Sequence, residues 1–248
     1  MIFEIDGVIK EKAELQDGIF YLSVEAPSIA YLAGPGQFVL VRVSPSFDPF
    51  LRRPLSIAGT KDDRIKLLFS IVGRGTSLLS RMREGDVLSL RGPLGKSFPH
   101  PEGDLLLVGG GMGVAPLLFA HQVYGGRLVL GVKDGSWKGL CDWVRDSLKG
   151  EVSLFSEDGS IGEKGTALDG ALYYSYPSSE VWACGPKEML FALYRALKGK
   201  VKGIFGSIEE RMACGIGGCY GCSMETPRGM RRVCVDGPVF DLKEVCEI

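Results

Sequence analysis

This sequence has few histidines, little net charge and no long apolar run. Its 248 residues include two histidines and carry a net charge of −1. Since a nearly neutral chain offers no electrostatic attraction to nucleic acid or to an anionic membrane, neither partner is expected. The longest apolar stretch, residues 104–120, is broken by glycines and a proline and is a poor candidate for a membrane span.

The start of the sequence does not resemble a secretory signal peptide, because charged residues are scattered through the first twelve positions. We therefore expect the protein in the cytoplasm, where thiols stay reduced and structural disulfides are rare. The odd total of seven cysteines also fits a disulfide framework poorly. The two histidines, His100 and His121, are interpreted as incidental, so they supply no base for substrate chemistry.

The order of predicted elements divides the chain into three parts, and the fold class is α+β multidomain. Residues 1–98 hold short strand-like runs at 18–26, 37–44, 65–73 and 86–92, separated by Gly, Pro and Asp, with one helix predicted at 76–85. Such runs are typical of a small barrel or sandwich, and we predict an antiparallel β-barrel. Residues 99–205 alternate strands with helices, which predicts a Rossmann-like α/β domain with a parallel sheet. The predicted strands are 104–110, 127–134, 151–158 and 180–186, and the predicted helices are 115–124, 140–150 and 187–199. Residues 206–248 form a short third part rich in glycine and cysteine.

Two stretches of the first part suit a phosphate-bearing ligand. In LRRPLSIAG (51–59), Arg53 can pair bidentately with a phosphate, and Ser56 would point toward the same ligand. In VGRGTSLL (72–79), Gly75 and Thr76 lie where a glycine-rich turn enters a helix, a place where free N–H groups bind anions. The alternative for the first stretch is a pair of solvated arginines, and for the second an ordinary turn. Taken together, the two stretches leave ligand binding and a structural role evenly balanced.

A nucleotide site is predicted at the carboxyl ends of the strands in the second part. LLLVGGGMGVAPLL (105–118) contains Gly111 and Gly113, the first two glycines of the dinucleotide fingerprint, but Pro116 replaces the third. WACGPKEM (182–189) brings Cys184 and Gly185 to the end of another strand. For Cys184, a small buried residue is the ordinary alternative.

Four cysteines of the third part have the spacing of an iron–sulfur site. The pattern is C-x4-C-x2-C followed by a fourth cysteine after eleven residues, and it matches plant-type [2Fe–2S] proteins. A zinc site usually presents two separated short pairs, so the cluster is favoured over zinc. The remaining cysteines, Cys141 and Cys246, are interpreted as structural or incidental. The predicted ligands are Cys214, Cys219, Cys222 and Cys234.

These sites together indicate electron transfer. A nicotinamide exchanges electrons in pairs as hydride, whereas an iron–sulfur cluster carries them singly, and a flavin converts between the two. The phosphate-bearing ligand of the first part is therefore best assigned as a flavin nucleotide.

Several motifs, in this order over essentially the whole chain, carry a family resemblance. They are PGQFVLV (35–41), RRPLSI (52–57), GRGT (73–76), GPLGKSF (92–98), GGGMGVAPL (109–117), CGP (184–186) and CVDGPVF (234–240). The chain resembles a ferredoxin–NADP reductase-type module followed by a [2Fe–2S] domain, and more closely the electron-transfer subunits of NAD-dependent dihydroorotate dehydrogenase B. Two features differ from the broader reductases: Leu55 stands where they carry an aromatic residue, and their C-terminal aromatic is missing.

The resemblance implies a role for each matching residue. Arg53 would contact the pyrophosphate of FAD, and Ser56 would lie near the flavin N5. The nicotinamide pocket would be shaped by Cys184 with the neighbouring glycines. The implied catalytic residues are Ser56 and Cys184, and the implied cofactor-binding residues are Arg53, Pro54, Leu55, Ser56, Leu68, Phe69, Ser70, Gly75, Thr76, Gly110, Gly111, Gly113 and Gly185.

The resemblance also implies the wider function. Electrons would come from an FMN-containing dihydroorotate dehydrogenase subunit, in a heterotetramer with two copies of each subunit, and would reach NAD⁺ through the [2Fe–2S] cluster and FAD in pyrimidine (UMP) biosynthesis. The alternatives are the reductase subunit of a ferredoxin–NADP oxidoreductase or hydrogenase complex, and a zinc-stabilised nucleotide-binding module. The residues alone do not separate NAD from NADP, because RLVLGV (127–132) is followed by Lys133 and only then by the acidic Asp134.

Overall fold

A computed structural model of the chain describes residues 1–148 and 152–246. The last two residues of the helix predicted at 140–150 and the first residue of the strand predicted at 151–158 lie outside the described residues. Residues 247–248 of the predicted third part also lie outside them.

The first part of the chain folds into a closed antiparallel barrel, so the predicted β-barrel is confirmed. Apolar side chains such as Ile9, Leu22 and Leu67 fill its interior and are fully buried. Its elements are β1 (Phe3–Gln16), β2 (Ile19–Glu25), α1 (Pro27–Leu32), β3 (Phe38–Arg42), β4 (Arg53–Lys61), β5 (Arg64–Ser70), α2 (Arg74–Leu79) and β6 (Val87–Leu94). The barrel closes in the strand order β1-β2-β5-β4-β3-β6.

The second part is an α/β domain with helices on both faces of a parallel sheet, so the predicted fold class is confirmed. Its strands are buried on both faces and therefore read as nearly continuous apolar runs. Its elements are β7 (Asp104–Gly110), α3 (Val114–Tyr124), β8 (Arg127–Val132), α4 (Lys138–Ser147), β9 (Val152–Ser156), β10 (Glu163–Lys164), α5 (Ala167–Tyr174), β11 (Ser179–Cys184), α6 (Lys187–Leu197) and β12 (Gly203–Ser207).

The third part is short and attaches to the edge of this sheet. It consists of β13 (Ser223–Thr226), β14 (Gly229–Arg232), α7 (Val233–Asp236), β15 (Val239–Asp241) and α8 (Lys243–Cys246). Among the described residues the sheet runs β10-β9-β8-β7-β11-β12-β15, and β15 pairs antiparallel with β12. The boundary predicted between residues 205 and 206 falls within β12, and the limits of the three domains stay a prediction.

The strand order places a ligand site between β7 and β11. From β7 the chain first builds the sheet toward β9 and then returns to the other side of β7 with β11. Helices leave in opposite directions at such a switch point, and a crevice opens at the carboxyl ends of the two strands. Of the helices in the described part of the chain, none has both the length and the apolar character needed to cross a bilayer.

Specific contacts fix the barrel against this domain. The Gln122 side chain of α3 donates to the Thr60 carbonyl at 2.6 Å and accepts from the Thr60 N–H at 3.2 Å. The rings of Phe98 and Trp182 stack with their centroids 4.6 Å apart. The barrel and the carboxyl edge of the sheet therefore face each other in a fixed arrangement.

Candidate functional sites

A cleft of about 650 Å³ opens on the barrel at the ends of β4 and β5. The opposite wall is the bridging segment, Ser207–Met212, which leads from β12 to the cysteine loop. Apart from Gly75, which lies behind Arg53, the structure brings all the predicted flavin-site residues of the barrel into this one cleft. They are Arg53, Pro54, Leu55, Ser56, Leu68, Phe69, Ser70 and Thr76.

Arg53 packs directly over Gly75 at one end of this cleft. A Cβ built on Gly75 would lie 2.1 Å from the Arg53 Nε, so only glycine leaves room for the guanidinium. Arg53 also donates to the Leu51 carbonyl at 2.5 Å. The cation and the glycine-rich turn, predicted separately from two stretches of sequence, are therefore in contact.

Thr76 shapes the same turn through its hydroxyl group. Its Oγ1 accepts from the Val72 N–H at 2.9 Å and donates to the Gly73 carbonyl at 3.1 Å. The helix α2 begins at Arg74 with Gly73 as its N-cap, two residues earlier than the sequence predicts. Thr76 therefore lies within the helix and closes the turn instead of capping the first residue.

The chemistry of this cleft fits a flavin nucleotide. Leu55, Leu68 and Phe69 give it buried apolar walls suited to a flat ring, and Ser56 adds a hydroxyl group. Arg53 supplies a cation that suits a phosphate group.

A second cleft, of about 760 Å³, lies at the carboxyl ends of β7 and β11. Gly110, Gly111, Gly113 and Gly185 line it, as predicted for a nucleotide site. Cys184 is fully buried and lies outside the lining.

Glycine is required here because two loops touch. A Cβ on Gly113 would lie 2.2 Å from the Cys184 carbonyl oxygen, and a Cβ on Gly110 would lie 2.7 Å from the Met189 Sδ. Gly111 has a φ of 53°, a left-handed conformation that favours glycine. The glycines thus allow the turn after β7 to pack against the turn after β11.

Cys184 lies beneath the nucleotide cleft as a neutral thiol. Burial, reinforced by the charge of Glu209, raises its pKa far above that of a free cysteine, although the Ser207 side chain hydrogen-bonds with it. A neutral buried thiol is a poor nucleophile, so its contribution to this site is to shape it.

The two clefts meet at Met112 and Glu209, which line both of them. Glu209 faces the open clefts, but the protein around it desolvates its carboxylate and raises the pKa. The neighbouring Glu210 pairs with Lys187 at the start of α6 and ties the bridging segment to the nucleotide cleft. The sequence motifs do not identify the bridging segment as part of the site. The only sign of it in the sequence is the Glu209–Glu210 pair, which lies shortly before Cys214.

The four predicted cluster ligands lie in one loop region against the barrel. Cys222 and Cys234 are buried in a core that includes Leu40 of the barrel, whereas Cys219 is exposed. The Cys214 and Cys219 thiols interact with each other, as do those of Cys222 and Cys234, and Cys214 also acts electrostatically on Cys234.

Backbone N–H groups point at the sulfur atoms of this loop. Donor-to-sulfur distances of 3.4 Å run from Cys219 to Cys214, from Gly221 to Cys219 and from Cys234 to Cys222. Such donors stabilise a thiolate and tune the potential of a bound cluster.

The pKa values of the thiols reflect these surroundings. Burial tends to raise the pKa of Cys214, but hydrogen bonds from the N–H groups of Ile216, Cys219 and Gly218 outweigh it and bring the pKa to about 6. Burial, together with the neighbouring Cys222, raises the pKa of Cys234 to about 12. The loop therefore favours negative charge at Cys214 more than at Cys234.

The paired arrangement fits a binuclear cluster. Two pairs of thiols, each with N–H donors, suit two iron atoms with two protein ligands apiece. The assignment of all four as ligands stays a prediction.

Comparison with known proteins agrees with this arrangement. Residues 209–246 match the model of the iron–sulfur cluster binding domain of dihydroorotate dehydrogenase B. The dihydroorotate dehydrogenase B (NAD(+)) electron transfer subunit of Clostridium acetobutylicum is 36% identical over 235 residues, covering 94% of this chain and 93% of the relative. The same subunit from Geobacillus sp. (strain WCH70) is 36% identical over 250 residues, covering 96% of each chain.

Solved structures show the same architecture. A chain of the NADH-dependent reduced ferredoxin–NADP oxidoreductase, described for flavin-based electron bifurcation, superposes with a TM-score of 0.80 at 29% identity and covers 96% of this chain and 89% of its own. The ferredoxin NADP⁺ reductase of Neisseria gonorrhoeae, with bound FAD and NADP, has a TM-score of 0.62 at 17% identity over 79% of this chain and 91% of its own, a likeness of fold. The resemblance seen in the sequence motifs is thus confirmed, and the chain belongs to the family of dihydroorotate dehydrogenase B (NAD(+)) electron transfer subunits.

Proposed function

We propose that this protein carries electrons from a dihydroorotate-oxidising partner subunit to NAD⁺ in pyrimidine (UMP) biosynthesis. One observation carries the proposal: the flavin-type cleft and the nucleotide cleft meet at Met112 and Glu209, and the bridging segment runs from this junction to Cys214. Three sites suited to three redox groups are therefore contiguous. A bound flavin supplies the exchange between single electrons and hydride.

The barrel residues bind and orient the flavin nucleotide in this proposal. Arg53 pairs with the pyrophosphate and stays in place because Gly75 leaves room for it. Ser56 presents its hydroxyl group to the reacting edge of the ring as the predicted catalytic residue. The remaining contacts come from Pro54, Leu55, Leu68, Phe69, Ser70 and Thr76, which line the cleft.

The nucleotide cleft holds NAD⁺ against the flavin. Gly110, Gly111, Gly113 and Gly185 let the backbone approach the dinucleotide closely, as their lack of a side chain allows. Cys184, the second predicted catalytic residue, acts from beneath by shaping the floor of the pocket.

The cysteine loop holds a [2Fe–2S] cluster through Cys214, Cys219, Cys222 and Cys234. Because Cys219 and its neighbours Tyr220 and Gly221 are exposed, electrons enter from a partner that docks on this side. We propose that this partner is an FMN-containing dihydroorotate dehydrogenase subunit and that two copies of each subunit form a heterotetramer in the cytoplasm. Family resemblance supports these assignments.

Co-purification with the dihydroorotate-oxidising subunit of the same organism tests the function. The complex is expected to show flavin absorbance and about two irons for each copy of this chain, and to reduce NAD⁺ with dihydroorotate. The isolated chain is expected to exchange electrons with NADH but not with dihydroorotate. A colourless protein with one zinc, or a complex that oxidises dihydroorotate without passing electrons to NAD⁺, would overturn the proposal.

A second candidate is supported by the likeness to the NADH-dependent ferredoxin–NADP oxidoreductase chain. In that case the partner would exchange electrons with ferredoxin, and dihydroorotate would have no effect. Addition of reduced ferredoxin or dihydroorotate to the purified complex, followed by measurement of NADH, separates the two.

A further inference from the structure

Arg232, the last residue of β14, contacts three parts of the cysteine loop region. Its Nη1 donates to the Gly217 carbonyl at 3.0 Å, and its guanidinium carbon lies 5.1 Å from the centre of the Tyr220 ring. Its Nε lies 3.8 Å from an Asp236 carboxylate oxygen. About a third of the side chain is exposed, so its charge is only partly screened by water.

The carbonyl that Arg232 binds belongs to a peptide group that faces a cluster ligand. This peptide group joins Gly217 to Gly218 in the turn between Cys214 and Cys219, and the Gly218 N–H interacts with the Cys214 sulfur. A donor on the carbonyl polarises the amide and strengthens the bond that its N–H makes. The cation is thus linked to the Cys214 sulfur through a single peptide group.

The loop is shaped around this arginine. Gly217 has a φ of 83°, and a Cβ there would lie 3.1 Å from the Arg232 Nη1. Tyr220 has a φ of 58°, which is unfavourable for a residue other than glycine. The Arg232 guanidinium lies over its ring, and this cation–π contact helps to hold that conformation.

We propose that Arg232 is a positioning residue that raises the reduction potential of the [2Fe–2S] cluster, acting through the Gly217–Gly218 peptide group on Cys214. A positive charge beside the cluster favours the reduced form, which carries one more negative charge. Asp236 opposes this effect, because its carboxylate faces the same guanidinium. The inference rests on the proposed function, since it requires the cluster.

Matched variants in the purified complex separate the arginine from a general change of charge. Arg232→Gln is compared with Arg231→Gln, which removes the same charge from the neighbouring position of β14, whose side chain points to the other face of the strand. Asp236→Asn removes the opposing charge. It keeps a side-chain oxygen that can accept the hydrogen bond from the backbone N–H of Arg232, which measures 2.7 Å to Asp236. The readout is the midpoint potential, measured by redox titration with electron paramagnetic resonance.

Arg232→Gln is expected to lower the midpoint potential more than Arg231→Gln, and Asp236→Asn is expected to raise it. Arg232→Lys keeps the charge and is expected to shift the potential less than Arg232→Gln. Equal shifts in Arg232→Gln and Arg231→Gln overturn the inference. If Arg232→Gln fails to retain iron, Asp236→Asn decides, and no rise in potential there rejects it. A wild-type complex without a cluster signal rejects the proposed function instead.

Discussion

Gly113 packs against the backbone of Cys184 so closely that a Cβ on the glycine would lie 2.2 Å from the Cys184 carbonyl oxygen. The two residues are far apart in sequence: Gly113 follows β7, and Cys184 is the last residue of β11, the neighbouring strand at the switch point of the sheet. Their contact forms the floor of the nucleotide cleft, so the shape of this cleft depends on a missing side chain.

Gly113→Ala is therefore expected to destabilise the fold and to weaken NAD⁺ binding. The backbone of Cys184 cannot move aside as a flexible side chain would, and overpacking of this kind costs about 1–3 kcal/mol. We expect a lower melting temperature and a raised KM for NADH. Gly203→Ala in β12 is the control, because a Cβ there meets its nearest atom at 3.4 Å, an ordinary contact. Equal melting temperatures in the two variants would contradict the expectation.

Gly75→Ala is expected to weaken FAD binding and to leave the thermal stability of the apoprotein nearly unchanged. A Cβ on Gly75 would overlap Arg53, but the clash is with a side chain that can swing away into the cleft. The apoprotein should therefore melt near the wild-type temperature while its affinity for FAD falls.

Arg53→Gln is expected to weaken FAD binding as well. Loss of a hydrogen bond to a charged group costs about 1.5–3 kcal/mol, roughly 10- to 150-fold in affinity. Fluorescence titration of the apoproteins with FAD measures both variants. Arg64→Gln, at an exposed position of the same barrel, is the control. Unchanged FAD affinity in Arg53→Gln would remove the proposed pyrophosphate contact.

Cluster ligation predicts a sharp difference among the seven cysteines. Cys222→Ser or Cys234→Ser removes a proposed iron ligand and is expected to lower the iron and sulfide content of the protein strongly. Cys246→Ser, in α8, is the matched control and should keep both. Iron and sulfide assays with the visible spectrum give the answer. Full iron content in Cys234→Ser would exclude that residue as a ligand.

The elements best predicted from sequence are those whose burial gives a regular pattern of apolar residues. The strand predicted at 104–110 matches β7, because a strand buried on both faces is apolar throughout. The helix predicted at 187–199 matches α6, whose apolar face is read from its period. By contrast, β1 escaped prediction because charged residues fill its exposed positions and interrupt the apolar pattern. The strand β4 was not among the predicted strands, because Pro54 near its start interrupts the strand pattern.

The candidate site was predictable where it is built from local motifs. Arg53 and Ser56 were found because they lie in one short stretch that also enters the cleft. The bridging segment was not found, because its role depends on packing opposite a barrel that precedes it by more than a hundred residues. Glu209 has no sequence signature of a residue between two clefts, and its position follows from the strand order alone.

The carboxylate of Glu209 predicts a dependence of stability on pH. Desolvation raises its pKa in the folded protein, whereas in the unfolded chain it titrates as an ordinary carboxyl group. Between these two pKa values the folded state binds more protons than the unfolded state, so the free energy of unfolding falls as the pH rises. Above the raised pKa, the folded protein is destabilised by the full cost of keeping the desolvated Glu209 carboxylate charged.

Glu209→Gln removes this penalty and is expected to melt at a higher temperature than the wild type at neutral pH. The difference in melting temperature should shrink as the pH is lowered from neutral through the raised pKa of Glu209, because the wild-type carboxyl then gains its proton. Glu225→Gln, at an exposed position of β13, is the control and should show no such trend. A difference that is constant across this range would mean that Glu209 acts through its contacts rather than through its charge.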